Sequence, residues 1–464
     1  MKDYEIIIGL ETHIQLNTET KIFCNCKADS WEAEPNTNIC PVCTGQPGVL
    51  PRLNEEAVRK GALLAAAMNA EINPRSLFDR KHYFYPDLPK SFQITQLFEP
   101  IGKGGYLDLH MADGETRRVR INKMHLEEDA GKTKLEHGQR MVDLNRGGVP
   151  LVEMVTEPDL RSGEEAAQYL TQLRELLRWI GVSEADMERG HLRCDANVSI
   201  REKGSSTLNT KTEIKNVNSI DSVRQAITLE AKRQIELVEA GGVVEPYTLD
   251  WDADTSKLSM MRPKEAEADY RYFREPDLRP VVLSEAEIAE IKASLTELPY
   301  VRRQRFVDDY KLSAYDAEIL TSERGLSDYF EQAVALYAKD AKTISNWMMN
   351  DLIRLMNDTG KTARELDDGK INAATGKSLL TKVEASGKSP ATIVEEEGLG
   401  LIADADSLRM QIEVILSGAP GEVAAFRGGK ESLMGWFVGQ VMRSTGGKAD
   451  PKLTREILQE LLKE

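Results

Sequence analysis

Long apolar runs, an excess of positive charge and cysteine are what this chain has least of. No segment approaches the ~18 consecutive apolar residues of a membrane helix, so a helical membrane protein is excluded. Lys and Arg number 60 against 76 Asp and Glu, giving a net charge of −16. The chain as a whole is therefore not a general coat for nucleic acid, although a local basic patch can still meet phosphates. Only 5 cysteines occur in 464 residues. No apolar run of secretory length follows Met1-Lys2-Asp3-Tyr4-Glu5, and the expected compartment is the cytoplasm, where thiols stay reduced.

Two familiar catalytic signatures are also missing. Gly-Lys-Ser/Thr occurs at 131–133, 360–362, 376–378 and 387–389, but never with glycine five positions earlier, so there is no phosphate-binding loop of that type. There is no Gly-x-Ser-x-Gly elbow, and Cys194 falls on the apolar side of an alternating segment. No nucleophile stands out, and nothing resembles a glutaminase site.

The composition that is present, 41% hydrophobic and 29% charged, is that of a globular protein large enough for roughly two to four domains. Residues 1–294 are rich in alternating and glycine-punctuated stretches. Residues 295–398 read as helical, and a softer break at Glu395–Gly400 sets off a tail, 399–464. Strands followed by helices give an α+β expectation. No fixed-period repeat or low-complexity tract interrupts it.

Ile6 to Leu16 alternates as a strand. Ile6, Ile8, Leu10, Thr12, Ile14 and Leu16 share one face; Glu11, His13 and Gln15 share the other. A carboxylate and an imidazole ~6.6 Å apart along a strand can bind a metal or move a proton. Then come Cys24, Cys26, Cys40 and Cys43. C-x-C followed by C-x-x-C can close a tetrahedral zinc site, and four thiolates leave no open position, so the expected role is structural. Asn54 to Met68 reads as a capped helix.

Asp79 to Lys90 concentrates Arg80, Lys81, His82, Tyr83, Phe84, Tyr85 and Lys90 around two prolines. Such a segment suits stacking on a nucleoside and holding phosphate, or simply a loop at the core edge. Glu153 interrupts an apolar strand, where a carboxylate has to be paired or metal-bound. Arg146 is one candidate partner. Glu127, Glu128 and Asp129 read either as part of a site or as a solvated acidic turn.

Ser162 with Glu165 has capping-box spacing and opens a helix. Residues 192–200 and 210–215 read as a hairpin, with Arg193, Asp195, Asn197 and Ser199 on one side of the first strand. Lys211, Glu213 and Lys215 share a side of the second. That mixed charge suits phosphate with magnesium, or an ordinary exposed sheet. Asp221 to Ala240 reads as a helix, and Asp269-Tyr-Arg-Tyr-Phe273 as a second aromatic-basic cluster. Arg427 to Arg455 carries six basic residues against Glu431 and Asp450, a locally basic surface in an acidic chain.

Several strings, in this order, resemble the B subunits of bacterial aspartyl/glutamyl-tRNA amidotransferases over essentially the whole length. They are Gly9-Leu-Glu-Thr-His13, Tyr83-Phe-Tyr-Pro-Asp-Leu-Pro-Lys90, His125-Leu-Glu-Glu-Asp-Ala-Gly-Lys132, Val142-Asp-Leu-Asn-Arg146, Leu192-Arg-Cys-Asp-Ala-Asn-Val198, Thr212-Glu-Ile-Lys-Asn216, Asp269-Tyr-Arg-Tyr-Phe273 and Val438-Gly-Gln-Val-Met442. The resemblance implies a cradle-like α/β catalytic domain with a zinc knob, an all-helical domain and a small helical tail that binds tRNA. It implies phosphorylation of the side-chain carboxylate of Glu-tRNA(Gln), and often Asp-tRNA(Asn), by ATP with Mg²⁺, then displacement of phosphate by ammonia. Ammonia would come from a partner amidase, the family's A subunit, with a small C subunit completing a heterotrimer.

Carried over position by position, Glu11, His13, Glu128 and Glu153 become the metal set. Lys81, Lys90, Asp195, Lys211, Glu213 and Lys215 become contacts to ATP, the acceptor end or the ammonia path. Arg427, Lys430, Arg443 and Lys448 become tRNA contacts. The sequence departs from the pattern at His82, Asn209 and Arg274. Two other classes fit the bare residues: a catalytically silent RNA-binding scaffold, and a stand-alone metallohydrolase using Glu11, His13 and Glu153.

Overall fold

A computed structural model describes residues 3–111, 113–136, 138–263, 270–336, 341–353, 405–430, 433–445, 449 and 451–463. Contacts divide the chain into two compact units, Met1–Arg302 and Arg303–Glu464. Among the described residues no helix is long and apolar enough to cross a membrane.

The first unit is built on one large sheet. Its long strands are β1 (Tyr4–Gln15), β2 (Thr116–Glu128), β3 (Pro150–Thr156), β4 (Leu192–Glu202), β5 (Thr212–Val217), β6 (Tyr247–Asp252) and β7 (Lys257–Pro263). They lie in the order β7-β6-β5-β4-β1-β3-β2, continued by the short strands Gly102–Lys103 and Glu71–Ile72, with Tyr106–His110 also pairing β2. All neighbours run antiparallel except β5 and β6, which are parallel.

The two faces of this sheet have opposite character, and the alternation in β1 shows why. Ile8, Leu10 and Ile14 are fully buried in the main core cluster. That core is completed by three helices, α1 (Glu55–Ala67), α2 (Gly163–Trp179) and α3 (Ile220–Glu239). Each starts at a side chain that satisfies free amides: Asn54, Ser162 and Ser219 accept from the first turn. At α2 the Glu165 carboxylate returns to the amide of Arg161, 2.8 Å, rather than to that of the cap residue. α2 and α3 come close at Gly163, where a Cβ would lie 2.5 Å from the Arg224 carbonyl oxygen. With all three helices in the core of one face, the opposite face is left to polar side chains.

A smaller sheet, Phe273–Arg274, Asp79–His82 and Phe92–Thr95 in that order, carries the aromatic-basic segment. In the second unit, one apolar cluster gathers Phe306, Leu312, Leu320, Leu326 and Phe330. Another gathers Leu408, Ile412, Phe437, Val441, Ile457 and Leu458 from the helices Ala405–Ser417, Leu433–Ser444 and Pro451–Lys463. The expected boundary at 398 lies outside the described residues.

Candidate functional site

Register sets the site. His13 of β1 stands opposite Glu153 of β3, and Glu153 stands opposite His125 of β2. On the other side Glu11 stands opposite Asp195 of β4, and His13 opposite Arg193. Asn197 is opposite Glu213 of β5. Directly opposed residues share a face, so a polar row crosses the side of the sheet opposite that core from β2 to β5.

The row contains two potential ligand triads, Glu11–His13–Asp195 and His13–Glu127–Glu153, each with ligand atoms within 4.8 Å of one another. His13 belongs to both. Its Nε2 lies 3.8 Å from Glu11 Oε1 and 3.7 Å from Glu153 Oε2. Those gaps are too long for hydrogen bonds. Carboxylates with one imidazole form a donor set that suits magnesium, or a softer divalent ion through the imidazole.

The electrostatics agree with a site that wants positive charge. Burial, then the Glu153 and Asp195 carboxylates, push Glu11 up to about 8. Burial and Glu153 push Glu127 up to about 7. Burial takes His13 down to about 4, leaving the imidazole neutral and able to donate a lone pair. Burial would also raise Glu153, but His125 outweighs it through a 3.0 Å contact with the carboxylate and holds Glu153 well below the carboxylate range. The same contact overcomes burial to raise His125. Thr95 Oγ1 lies 3.0 Å from His125 Nδ1 and donates to Glu127 at 3.0 Å, tying the two together.

Cations flank the acids. Burial alone would lower the Lys81 ammonium, yet Glu127 and Glu153 outweigh it and the net shift is upward. Its Nζ lies 4.8 Å from the Tyr270 ring centre and 6.0 Å from that of Tyr83. Lys215 donates to Asp195 at 2.6 Å, and against the effect of burial its ammonium is likewise raised, by Asp195 and Glu213. Glu213 accepts from Thr248 at 3.2 Å.

Of the expected metal set, the structure brings Glu11, His13 and Glu153 together and sets Glu128 apart. Glu128 has the parity of Leu126 and Met124, so it points to the opposite face from Glu127. There Lys90 Nζ pairs with its carboxylate, and the Ile94 amide donates to it at 2.9 Å. Glu127 takes the place beside His13. The solvated-turn alternative for the acidic run is overturned: Glu127, Glu128 and Asp129 are 2%, 3% and 4% exposed. The Glu153–Arg146 pairing does not form either. Arg146 donates to the carbonyls of Ala130 and Gly131 and lies 3.6 Å from Asp129.

Lys211 precedes β5 and is exposed. Arg427, Lys430 and Arg443 are exposed on the second unit, Arg427 donating to the Leu461 carbonyl at 3.3 Å; Lys448 lies outside the described residues. The three departures make local contacts. His82 stacks on Phe273 with ring centres 5.0 Å apart, Asn209 donates to the Ile200 carbonyl at 2.7 Å, and Arg274 lies 3.6 Å from Asp79.

Sequence reasoning passed over His125 and Thr95, and took Arg193 only as one of the mixed charges on its strand face. Arg193 donates to Asp129 at 2.9 Å, and Gln15 reaches the same oxygen at 2.7 Å. Period two with antiparallel pairing to Glu153 would have picked out His125 and Glu127; Thr95, on another sheet, left no local signal.

The four cysteines form a second group. Cys24, Cys26, Cys40 and Cys43 have sulfurs within 4.8 Å of one another. The Cys40 and Cys43 sulfurs are 3.8 Å apart, matching the ~3.8 Å edge of a tetrahedron with 2.3 Å zinc–sulfur bonds. A hydrogen bond with Cys24 draws the Cys43 thiol down to about 5, so one thiolate is already favoured. The donor set fits zinc.

The family model described as the GatB/GatE catalytic domain matches residues 6–289, which hold both groups. A second, described as the GatB domain, matches residues 328–462. The aspartyl/glutamyl-tRNA(Asn/Gln) amidotransferase B subunit of Persephonella marina is 46% identical over 475 residues, 99% of this chain and 100% of the relative. The like-named protein of Thermodesulfovibrio yellowstonii is 48% identical over 476 residues, again 99% and 100% of the two chains. That of Moorella thermoacetica is 46% identical over 480 residues with the same coverage.

Proposed function

This chain belongs to the GatB family, and from that membership we propose that it is the tRNA-amidating component of an aspartyl/glutamyl-tRNA amidotransferase, working on the polar face of the sheet. The carrying observation is the row of Glu11, His13, Glu127, Glu153 and Asp195 flanked by Lys81 and Lys215.

The side-chain carboxylate of Glu-tRNA(Gln), or of Asp-tRNA(Asn), attacks the γ-phosphorus of ATP and ADP leaves. Ammonia then adds to the carbonyl carbon of the acyl phosphate, phosphate leaves, the nitrogen loses a proton, and an amide remains. Such chemistry needs positioning and charge neutralisation and no protein nucleophile. Lys81 and Lys215, both kept cationic by their neighbours, supply fixed positive charge to phosphoryl oxygens. Glu11, His13, Glu127 and Glu153 would hold a divalent cation, which supplies neutralisation of the phosphates. Glu128, the family-based candidate, is better read as a wall residue with Lys90. Asp195, Glu213 and Lys211 extend the charged surface along β4 and towards β5.

The cysteine group is read as a structural zinc knob and residues 399–464 as the tRNA-binding tail, where Arg427, Lys430, Arg443 and Lys448 would meet phosphates. Ammonia is read as coming from a partner amidase, the A subunit of the family, braced by a small C subunit in a cytoplasmic heterotrimer. That agrees with the lack of a glutaminase signature in this sequence. Supplying the reconstituted complex with Glu-tRNA(Gln), ATP, Mg²⁺ and an ammonium salt should yield Gln-tRNA(Gln) and ADP in equal amounts. Release of AMP and pyrophosphate, or no amide, would contradict this reading.

A further inference from the structure

Just ahead of the first cysteine pair, the side chain of Lys21 is fully buried. An ammonium withdrawn from water is costly unless an opposite charge meets it. Other partly buried cations of this unit show the rule. Lys90 pairs with Glu128, Lys215 with Asp195 and Arg193 with Asp129, although all three are more exposed than Lys21. Lys21 has no carboxylate within ion-pair distance among the described residues; its Nζ donates to the Asn38 carbonyl at 3.0 Å. Asn38 is itself fixed, its amide donating to Asn145 at 2.9 Å and its side chain to the Lys27 carbonyl at 2.7 Å.

What Lys21 does have beside it is the cysteine group. Its amide donates to the Cys26 carbonyl at 2.9 Å. A Cβ on Gly148 would lie 3.4 Å from Lys21 Cδ and 3.7 Å from Cys43 Cβ, so both side chains close over the same bare stretch of backbone. The Cys24 hydrogen bond is the largest cause that draws the Cys43 thiol down, and the Lys21 charge adds to it. Four thiolates around one dication leave two negative charges uncompensated. Nearby cations other than Lys21 do not meet that excess. Arg80 and Lys90 line a cavity of about 200 Å³ beside Cys24 and Cys43, but Glu275, Asp277 and Glu128 already match them. Lys27 is exposed, where water screens it.

We propose that Lys21 is the counter-charge of the zinc-bound cysteine group, its ammonium and the excess negative charge of the metal-bound thiolates compensating one another in the interior. This rests on the reading of that group as a zinc site. An ammonium has no lone pair to give, so Lys21 is no ligand and acts through the thiolates. Protonated thiols carry no charge, so removing the metal leaves Lys21 short of a partner. The pairing therefore favours the metal-bound state over the metal-free one.

The test measures the zinc affinity of the full chain under reducing conditions, by competition with a chromophoric chelator, together with the Tm of the zinc-free and zinc-saturated forms. Lys21→Met, similar in length and uncharged, should weaken zinc binding by about tenfold or more. It should lower the Tm of the zinc-saturated form and leave that of the zinc-free form equal or higher, because it removes a cation that the metal-bound state compensates. Lys21→Arg keeps the charge and should bind zinc more tightly than Lys21→Met; the reverse order overturns the proposal. A merely structural hold on Asn38 would lower both Tm values alike and leave the affinity unchanged. That result, in Lys21→Met or in Lys21→Gln, overturns the proposal, as does failure of both neutral variants to fold in excess zinc. Co²⁺ checks the underlying reading: the native chain should show sulfur-to-cobalt charge-transfer absorption, kept at the same wavelength in Lys21→Met but reached at higher Co²⁺. If the native chain takes up neither zinc nor Co²⁺, the zinc reading fails and the counter-charge role falls with it. If the native chain binds zinc and the neutral variants bind it equally well, the zinc reading stands and the role of Lys21 alone is overturned.

Discussion

Glu127 and Glu128 occupy opposite faces of β2, and that parity decides which of them can meet His13. Glu127→Gln should weaken Mg²⁺ binding at least tenfold, because it removes a carboxylate from the triad with His13 and Glu153. Glu128→Gln should change Mg²⁺ affinity less than about threefold, while costing stability by leaving Lys90 partly buried without its carboxylate. Calorimetric Mg²⁺ titration of the two variants checks this, and equal losses would contradict the assignment. The shifted carboxylates set a pH window as well. A carboxyl group whose pKa is raised on folding holds its proton more tightly folded than unfolded. The metal-free protein therefore loses stability as pH climbs from the ordinary value of 4.5 towards about 7 for Glu127 and about 8 for Glu11. A divalent cation displaces those protons. The rise in Tm on adding Mg²⁺ should accordingly be larger at about pH 8.5 than at about pH 6; the opposite order would show that these groups do not hold the ion. At this scale, Glu11 and His13 could be read from alternation within one strand. The choice between two adjacent acids needed the strand's phase against Glu153, and the reach of Thr95 into the row comes from a separate sheet.

The elements were legible where the local signal was strong. Alternation marked β1 and β4, and the caps at Asn54 and Ser162 marked the starts of α1 and α2. The four-residue strand Phe92–Thr95 and the register shift between Cys194 and Ala196 were not, because short strands and bulges are set by neighbours distant in sequence. The meeting of α2 and α3 at Gly163 likewise leaves no periodic trace. Gly163→Ala should destabilise the first unit by ~1–3 kcal/mol in urea unfolding despite alanine's better helix propensity, since its Cβ would press on the Arg224 carbonyl. A stabilised variant would mean that the helices separate freely there. The cysteine group makes its own prediction: one zinc per chain by elemental analysis, lost in Cys40→Ser, with the β1–β3–β4 core still folded by circular dichroism.

Across the whole molecule, an acidic chain with net charge −16 that acts on RNA must confine its phosphate contacts. Replacing Arg427, Lys430 and Arg443 together by alanine should weaken tRNA binding and flatten its salt dependence by about two to three units of slope. An unchanged slope would place the tRNA contacts elsewhere. The central claim is that the polar sheet face activates the substrate carboxylate. It is tested most directly by Glu-tRNA(Gln)-stimulated ADP release in the reconstituted complex carrying His13→Ala or Glu153→Gln, with tRNA binding measured alongside. Stimulated ADP release should fall at least a hundredfold in both variants while tRNA binding is retained; full stimulated turnover in either one would contradict it.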